Sequence, residues 1–321
     1  MTLHTDHEHG PGCDCGHEAP AAQTLWLYTP AGALPSAAPL RRATKRLGKL
    51  GYAVTVDEAA LARQQRFAGD DETRLAAIHR VAEAAPSIAM ATRGGYGMTR
   101  LLDRLDWALL ARSVERGTRW VGHSDLTALQ MGMLAHGGAR SWAGPLAAYD
   151  FGREDADGGV DEVTEGCFVE AMSGELEAVG FRTEAGFDGL TAKGVLWGGN
   201  LAMLCSLLGT PHWPRIRGGG VLFLEDVAEH PYRVERMLLQ LLQAGVLGAQ
   251  KAVLLGSFSD WKAVKSDRGY KLKTVVEYLR AQTGVPVLTG LPFGHVPTKV
   301  TLPVGAKVEL VVQGRNVLVG W

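Results

Sequence analysis

A serine stands where an apolar strand passes directly into a helix, in the segment VGHSDLTALQ. At such a junction the hydroxyl of Ser124 is exposed on a sharp turn, and the amide of Asp125 lies at the N-terminus of the next helix. Free amides at a helix N-terminus stabilise a developing oxyanion. The segment therefore predicts a nucleophile elbow, although it lacks the G-x-S-x-G signature, and helix capping by Ser124 or Asp125 is the competing interpretation.

A nucleophilic serine needs a base and a carboxylate that orients the base. His295 in LPFGHVP is the strongest candidate for the base, because Gly294 and Pro297 fix its loop. Glu225 ends the strand VLFLED and is suited to orient an imidazole. Two alternatives stay open: Glu225 or Asp226 caps the following helix or pairs with Arg233, and His123 is the base. His123 ranks lower because neighbouring residues on an extended segment point to opposite sides.

Two glycine-rich segments can line a cleft. In ATRGGYGMTRLL, Gly94 or Gly95 is suited to supply a second oxyanion amide, and Arg93 to bind a substrate carboxylate. Phosphate binding is the alternative for this loop, but its spacing matches neither the P-loop nor the dinucleotide fingerprint. In WGGNL, Trp197 and Asn200 are candidate substrate contacts, and a tight turn with Asn200 as a helix cap is the alternative.

The first 22 residues differ in composition from the rest of the chain. They contain the potential metal ligands His4, His7, His9, Cys13, Cys15 and His17. Thiolates and imidazoles suit zinc, nickel or copper, but the Cys-x-Cys spacing is not the usual zinc-finger pair. We therefore expect a disordered leader, with metal capture as the alternative and no metal site in the rest of the chain.

Composition excludes several classes of protein. The formal net charge of -1 over 321 residues leaves no basic excess for neutralising the phosphates of a nucleic acid. No apolar stretch approaches the roughly 20 residues that cross a bilayer, and the start of the chain is not a signal peptide. Cys167 and Cys205 stand alone, so we expect no disulfide. These features predict a cytoplasmic protein that acts on a small molecule and contacts neither nucleic acid nor membrane.

Strand and helix patterns alternate through the first half of the chain. The strand patterns TLWLY, YAVTV, SIAMA and RWVG are separated by helical patterns, one of them over residues 98–112. This order predicts an α/β fold with a mostly parallel sheet. The acidic, Gly-rich stretch after it is typical of a connection between domains. The expected organisation is a tail (1–22), a parallel-sheet N-terminal domain with the nucleophile (23–150), a linker region (151–190) and a β-rich α/β C-terminal domain with the glutamate and the histidine (191–321).

Six segments resemble the LD-carboxypeptidase family, which includes the microcin-immunity peptidases, and they occur in the family's order from about residue 24 to the C-terminus. They are FAGDDETRLAAI, ATRGGYGMTRLLDRLDW, GHSDLTAL, WGGNL with LGTP six residues later, LFLEDVAEHPYRVERML and LPFGHVPTKVTLPVGAKVEL. The resemblance implies a Rossmann-like N-terminal domain, a β-rich C-terminal domain, an active site at their junction and a homodimer. It also implies a triad of Ser124, Glu225 and His295, oxyanion amides near Gly95 and Asp125, and no metal or organic cofactor.

The same resemblance implies a substrate. It points to the bond between an L-centred residue and the terminal D-alanine of a murein tetrapeptide, cleaved in peptidoglycan recycling, with Arg93 as the candidate for binding the free carboxylate. An immunity-type peptidase that cleaves an aminoacyl-adenylate mimic, with Trp197 stacked on the base, is the first alternative. A metal-binding protein that acts through its tail and a nucleotide-binding module are the others. His123, where many family members have an aromatic residue, and the tail depart from the family pattern.

Overall fold

The computed structural model describes residues 22–321, which form two sheets flanked by helices. The candidate metal ligands of the tail lie outside the described residues: His4, His7, His9, Cys13, Cys15 and His17. Within residues 22–321 no helix combines the length and the apolar composition needed to cross a bilayer.

The first sheet takes five of its six strands from the N-terminal half of the chain. Its strands are β1 (Thr24–Tyr28), β2 (Ala53–Val56), β3 (Ile88–Ala91), β4 (Arg119–Gly122), β5 (Ser141–Ala143) and β11 (Leu302–Val304). They lie in the order β11-β5-β4-β3-β1-β2, and only β11 is antiparallel to its neighbour. Strands such as β3 are buried along their whole length, as expected for a parallel sheet covered on both faces.

Helices connect the strands of this sheet and cover it. They are α1 (Ala37–Lys49), α2 (Asp71–Ala84), α3 (Trp107–Glu115), α4 (Leu126–Gly137) and α5 (Glu162–Ser173). Several begin at a residue whose side chain accepts an otherwise unpaired amide, as Asp70 does from Thr73 at 2.8 Å. The α/β organisation predicted from the alternating pattern is confirmed.

The helix expected over residues 98–112 begins later than predicted. Residues 98–104 form two short 3-10 turns, and α3 starts at Trp107. Asp106 sets this start by accepting the N–H of Leu109 at 2.8 Å. The amide of Met98 is held elsewhere, by a hydrogen bond to the carboxylate of Asp125. The prediction was wrong here because apolar periodicity does not show which residue caps a helix.

The second sheet has seven strands, the first of which follows α5. They are β6 (Ala178–Arg182), β7 (Thr191–Asn200), β8 (Gly220–Val227), β9 (Ala252–Ser259), β10 (Val287–Thr289), β12 (Lys307–Gln313) and β13 (Asn316–Gly320). The order is β10-β9-β8-β7-β12-β13-β6, parallel from β10 to β7 and antiparallel beyond. The helices of this half are α6 (Leu201–Leu207), α7 (Pro231–Gln243) and α8 (Leu272–Gln282). The segment 151–190, expected as a linker, thus contains α5 and β6.

The chain passes between the two sheets three times, from β5 to β6, from β10 to β11 and from β11 to β12, and the second passage carries a residue of the expected site. After β10 in the second sheet, the loop that carries His295 leads into β11 at the edge of the first sheet. Helix α4, which follows Ser124 in the first sheet, packs against β7 and α6 of the second. The segments that carry Ser124 and His295 are therefore brought to the boundary between the two sheets.

Candidate active site

Ser124 occupies the turn between β4 and α4 with a positive backbone φ of 64°. A residue other than glycine rarely adopts this conformation, which costs free energy and is common at functional turns. The Gly94 backbone faces the serine closely, since a Cβ added at Gly94 would lie 2.8 Å from the serine Oγ. The turn therefore presents the hydroxyl to a stretch of backbone without side chains.

His295 and Glu225 form a hydrogen-bonded pair at the boundary. His295 Nδ1 lies 2.7 Å from Glu225 Oε2, and the glutamate side chain is fully buried. A carboxylate at this distance favours the tautomer with a proton on Nδ1, which leaves Nε2 free to accept another. Gly294 permits the close approach, because a Cβ there would lie 3.2 Å from the same carboxylate oxygen.

Asn200 orients the glutamate from the neighbouring strand. Its Nδ2 donates to Glu225 Oε1 at 3.2 Å and to Asp226 Oδ1 at 2.9 Å. Its backbone N–H donates to Thr127 Oγ1 at 3.0 Å, so helix α4 is tied to the strands that carry the acid. Burial raises the pKa of Asp226 to about 6. Asn200 was expected to contact substrate, but its amide is buried against these two carboxylates and it also caps α6.

His123, the competing candidate for the base, packs against His295. Its Nδ1 contacts the carbonyl oxygen of Gly144 at 2.8 Å, and its ring centroid lies 5.0 Å from that of His295. Burial, followed by the electrostatic influence of Lys299 and of His295, lowers the pKa of His123 well below its usual value. Within residues 22–321 no carboxylate bonds to this ring, and its Nε2 has no partner. His123 is therefore a buried neutral imidazole without an orienting acid.

The glycine loop supplies backbone amides beside the serine. The Gly94 carbonyl accepts the N–H of Gly32 at 2.9 Å, which fixes the start of the loop. In the described part of the chain, the amides of Gly95 and Asp125 donate to no protein acceptor. Arg93 is exposed, and its Nη1 donates to the carbonyl of Ala33 at 2.5 Å. This anchors the guanidinium at the loop while its other N–H groups stay available.

Trp197 does not reach the cleft. Its ring is 1% exposed, and its Nε1 donates to Gln250 Oε1 at 2.9 Å. It also packs edge to face against Trp213 with ring centroids 5.5 Å apart. The expectation that Trp197 stacks on a substrate is wrong, because the ring is held in the core by β7.

Sequence reasoning missed a buried ion pair near His295. The ammonium of Lys299 pairs with the carboxylate of Asp150, and both side chains are buried. Tyr149, the neighbour of Asp150, is 48% exposed and its ring lies 6.5 Å from His123. A lone charge inside each of the apolar segments LAAYDFG and VPTKVTL was the only available signal. The two charges are 149 residues apart in the chain, so their pairing was not visible.

No convergent metal ligands accompany these groups. Among the residues from 22 onwards, no three His, Cys, Asp or Glu side chains come together in a way that would hold a metal ion. The arrangement of a serine on a strained turn, an imidazole paired with a buried carboxylate and two free amides is that of a serine hydrolase.

Known proteins share this arrangement of segments. The sequence pattern of the LD-carboxypeptidase N-terminal domain matches residues 26–144, and that of the C-terminal domain matches residues 193–310. A probable murein peptide carboxypeptidase of Bacillus subtilis is 30% identical over 89% of this chain and 88% of its own length.

Solved structures agree with this similarity. The crystal structure of a muramoyltetrapeptide carboxypeptidase from Oxalobacter formigenes superposes with a TM-score of 0.83 at 41% identity, covering 92% of this chain and 97% of the other. The microcin C7 self-immunity protein of Escherichia coli is 24% identical over 71% of this chain and 72% of its own length. A structure of this immunity protein superposes with a TM-score of 0.81 at 21% identity, over 94% of this chain and 96% of the other, which shows a shared fold.

Proposed function

Since this chain belongs to the LD-carboxypeptidase family and is a serine-type carboxypeptidase, we propose that it releases the terminal D-alanine of a murein tetrapeptide. The bond cleaved joins an L-centred residue, such as the diamino acid of the peptide, to the D-amino acid. The similarity to named murein peptide carboxypeptidases at 30% and 41% identity supports this substrate class.

The proposed catalytic residues are Ser124, Glu225 and His295. His295 Nε2 takes the serine proton as Oγ attacks the scissile carbonyl carbon, and Glu225 stabilises the imidazolium that forms. The oxyanion accepts hydrogen bonds from the amides of Gly95 and Asp125. The C–N bond then breaks, the amine of D-alanine leaves with the proton from His295, and water hydrolyses the acyl-enzyme by the same route.

One observation carries this proposal: the buried hydrogen bond of 2.7 Å between Glu225 and His295 at the boundary where Ser124 stands on its turn. Burial of a glutamate beside a largely buried histidine is energetically costly unless the carboxylate is paired, and stabilisation of an imidazolium accounts for it.

Arg93 is the residue proposed to bind the free D-carboxylate. It is exposed, adjoins the glycine loop and keeps donors free beyond its bond to Ala33. A guanidinium that is anchored through one nitrogen loses less entropy on binding a carboxylate than a free side chain does.

The proposed location is the cytoplasm, where recycling of peptidoglycan supplies free murein peptides. The proposed oligomeric state is a homodimer. Both follow from the family resemblance. Sedimentation at micromolar concentration tests the assembly, and a single species with the mass of one chain would refute the dimer.

Cleavage of an aminoacyl-adenylate mimic is the alternative substrate. The microcin immunity protein has the same fold, but its identity to this chain is 24%, against 41% for the muramoyltetrapeptide enzyme. Trp197, the residue considered for stacking on a base, is buried in the core. The murein peptide is therefore the better supported substrate.

The test is release of free D-alanine from a murein tetrapeptide by wild type, Ser124→Ala and Ser173→Ala. Ser173 is an exposed serine at the end of α5 and serves as the matched control. We expect wild-type turnover from the control and a loss of roughly a million-fold from Ser124→Ala. Equal turnover by Ser124→Ala would refute the mechanism, and no release by wild type would refute the substrate.

A further inference from the structure

The side chain of Asp125 makes a contact that is separate from the proposed role of its backbone amide. The carboxylate is 1% exposed, and its Oδ2 accepts the N–H of Met98 at 2.8 Å. Met98 lies three residues beyond Gly95, the other proposed oxyanion donor. One residue thus offers an oxyanion donor from its backbone and holds the loop of the second donor with its side chain.

The loop held in this way has little rigidity of its own. It contains Gly94, Gly95 and Gly97, and the last two have φ values of 103° and 149°. Glycine loses more conformational freedom on ordering than any other residue, so a fixed loop geometry requires external contacts. The start of the loop is fixed by the bond between Gly94 and Gly32, and its end by the bond between Met98 and Asp125.

A buried arginine supports the same end of the loop. Arg74 of α2 is fully buried and donates to the carbonyl oxygen of Gly97 at 2.9 Å and to that of Pro30 at 3.2 Å. A Cβ at Gly97 would lie 2.5 Å from Arg74 Nη1, so the guanidinium fills the space that a side chain would need. The loop end is therefore enclosed between a buried cation and the carboxylate of Asp125.

Stabilisation of the fold does not by itself explain why the Asp125 carboxylate is buried. Burial raises the pKa of Asp125 to about 6, against the opposing influence of the Met98 and Gly97 amides and of Arg74 and Arg66. The other carboxylate oxygen, Oδ1, has no hydrogen-bond partner among residues 22–321. The ionised form is thus less favourable in the fold than in water, because burial outweighs these partners.

We propose that the Asp125 carboxylate is a positioning group for the oxyanion hole, setting the Gly95 amide against the Asp125 amide through its bond to Met98. The inference rests on the proposed acyl-transfer function and adds a residue that acts through the loop. An ionised carboxylate binds an amide about twice as strongly as a neutral acceptor does. Protonation, or substitution by asparagine, therefore loosens the loop without touching the serine or its base.

The probe is a fluorophosphonate, which reports on the oxyanion hole without requiring the natural substrate. Ser124 Oγ bonds to phosphorus, fluoride leaves, the serine proton passes to His295, and the phosphoryl oxygen takes the oxyanion position. Labelling and D-alanine release are compared for wild type, Asp125→Asn and Asp106→Asn. Asp106 is the matched control, because its carboxylate also accepts one backbone amide at 2.8 Å but is exposed at the start of α3.

We expect Asp125→Asn to label and turn over about 10- to 100-fold more slowly than wild type near pH 8, with KM within about two-fold. Asp106→Asn should match wild type. The ratio of wild-type to Asp125→Asn rates cancels every pH dependence that the two proteins share. This ratio should fall towards one as the pH drops through about 6, because the wild-type carboxylate then becomes neutral as well.

A measurement on wild type alone covers the case in which Asp125→Asn does not fold. The amide proton of Met98 should shift upfield in the NMR spectrum as the pH falls through about 6, since its acceptor loses charge. The inference is overturned by a folded Asp125→Asn that labels at the wild-type rate, by a rate ratio that does not change with pH, or by a Met98 amide that does not titrate. Wild type that resists labelling would instead overturn the serine mechanism, and this inference with it.

Discussion

In the proposed mechanism, Glu225 acts through a single hydrogen bond to His295. Its Oε2 meets His295 Nδ1 at 2.7 Å, while its Oε1 is held by Asn200. Glutamine has nearly the same shape but can present an N–H to the imidazole, which favours the wrong tautomer. We expect Glu225→Gln to lower kcat roughly ten-thousand-fold with little change in KM, measured as D-alanine release.

Glu235→Gln is the control for this prediction. Glu235 also accepts one side-chain hydrogen bond, from the Tyr270 hydroxyl at 2.7 Å, but it lies on α7 and is not hydrogen-bonded to any of the proposed catalytic residues. A kcat for Glu225→Gln within ten-fold of the control would show that the carboxylate does not orient the base.

At the residue scale, the sequence was informative where local structure decides a backbone conformation. Ser124 was predicted from a strand that runs into a helix, and its turn has the strained φ of 64° that such a junction requires. Asn200 and Trp197 were predicted to line the cleft because they flank the two glycines of WGGNL. Their actual surroundings depend on the pairing of β7 with β8, which sets Asn200 opposite Glu225, and on which face of β7 is covered. Pairing between strands that are distant in the chain cannot be predicted from a single sequence.

At the scale of elements, the glycine loop and the turn that carries Ser124 must approach closely. A Cβ at Gly94 would lie 2.7 Å from Ser124 Cβ and 2.8 Å from Oγ, distances that require one segment to move. Displacement of a reacting group by about 1 Å costs on the order of 100-fold in rate. We therefore expect Gly94→Ala to fold and to lose about 100-fold in kcat/KM, measured with the murein tetrapeptide.

Gly48→Ala is the matched control for the loop. Gly48 is exposed in α1, and a Cβ there meets nothing within 4 Å. Alanine is more favourable than glycine in a helix by up to about 1 kcal/mol, and Gly48 lies in the last turn of α1, so this variant should be at least as stable as wild type and fully active. Wild-type kcat/KM in Gly94→Ala would mean that the loop does not pack against the nucleophile as described.

Element types were easier to predict than the contacts between elements. The four strand patterns of the N-terminal half correspond to β1 to β4, because parallel strands carry continuous apolar runs. The edge strand β11, three residues long and containing Pro303, carries no such signal. Its place is fixed by pairing with β5, and that pairing is what anchors the far end of the His295 loop.

At the scale of the whole molecule, the buried ion pair of Lys299 and Asp150 joins the segment that carries His295 to the segment that follows β5. Asp150 lies in a short helical turn after β5, and Lys299 lies four residues beyond His295. Burial raises the pKa of Asp150, opposed chiefly by the charge of Lys299. Removing one partner of a buried pair leaves an uncompensated charge, which is worse than removing both.

We expect Lys299→Met to lower the free energy of unfolding by about 3–5 kcal/mol near pH 8, measured by urea denaturation. The loss should shrink as the pH falls, because the unpaired Asp150 carboxylate of the folded variant takes up a proton more readily than it does in the unfolded chain. The double variant Asp150→Leu/Lys299→Met should recover most of the stability, since no buried charge remains. The control is Lys193→Met, which breaks an exposed pair with Glu309 at 2.9 Å and should cost at most about 1 kcal/mol. A double variant no more stable than Lys299→Met would mean that the lysine stabilises the boundary by packing rather than by charge.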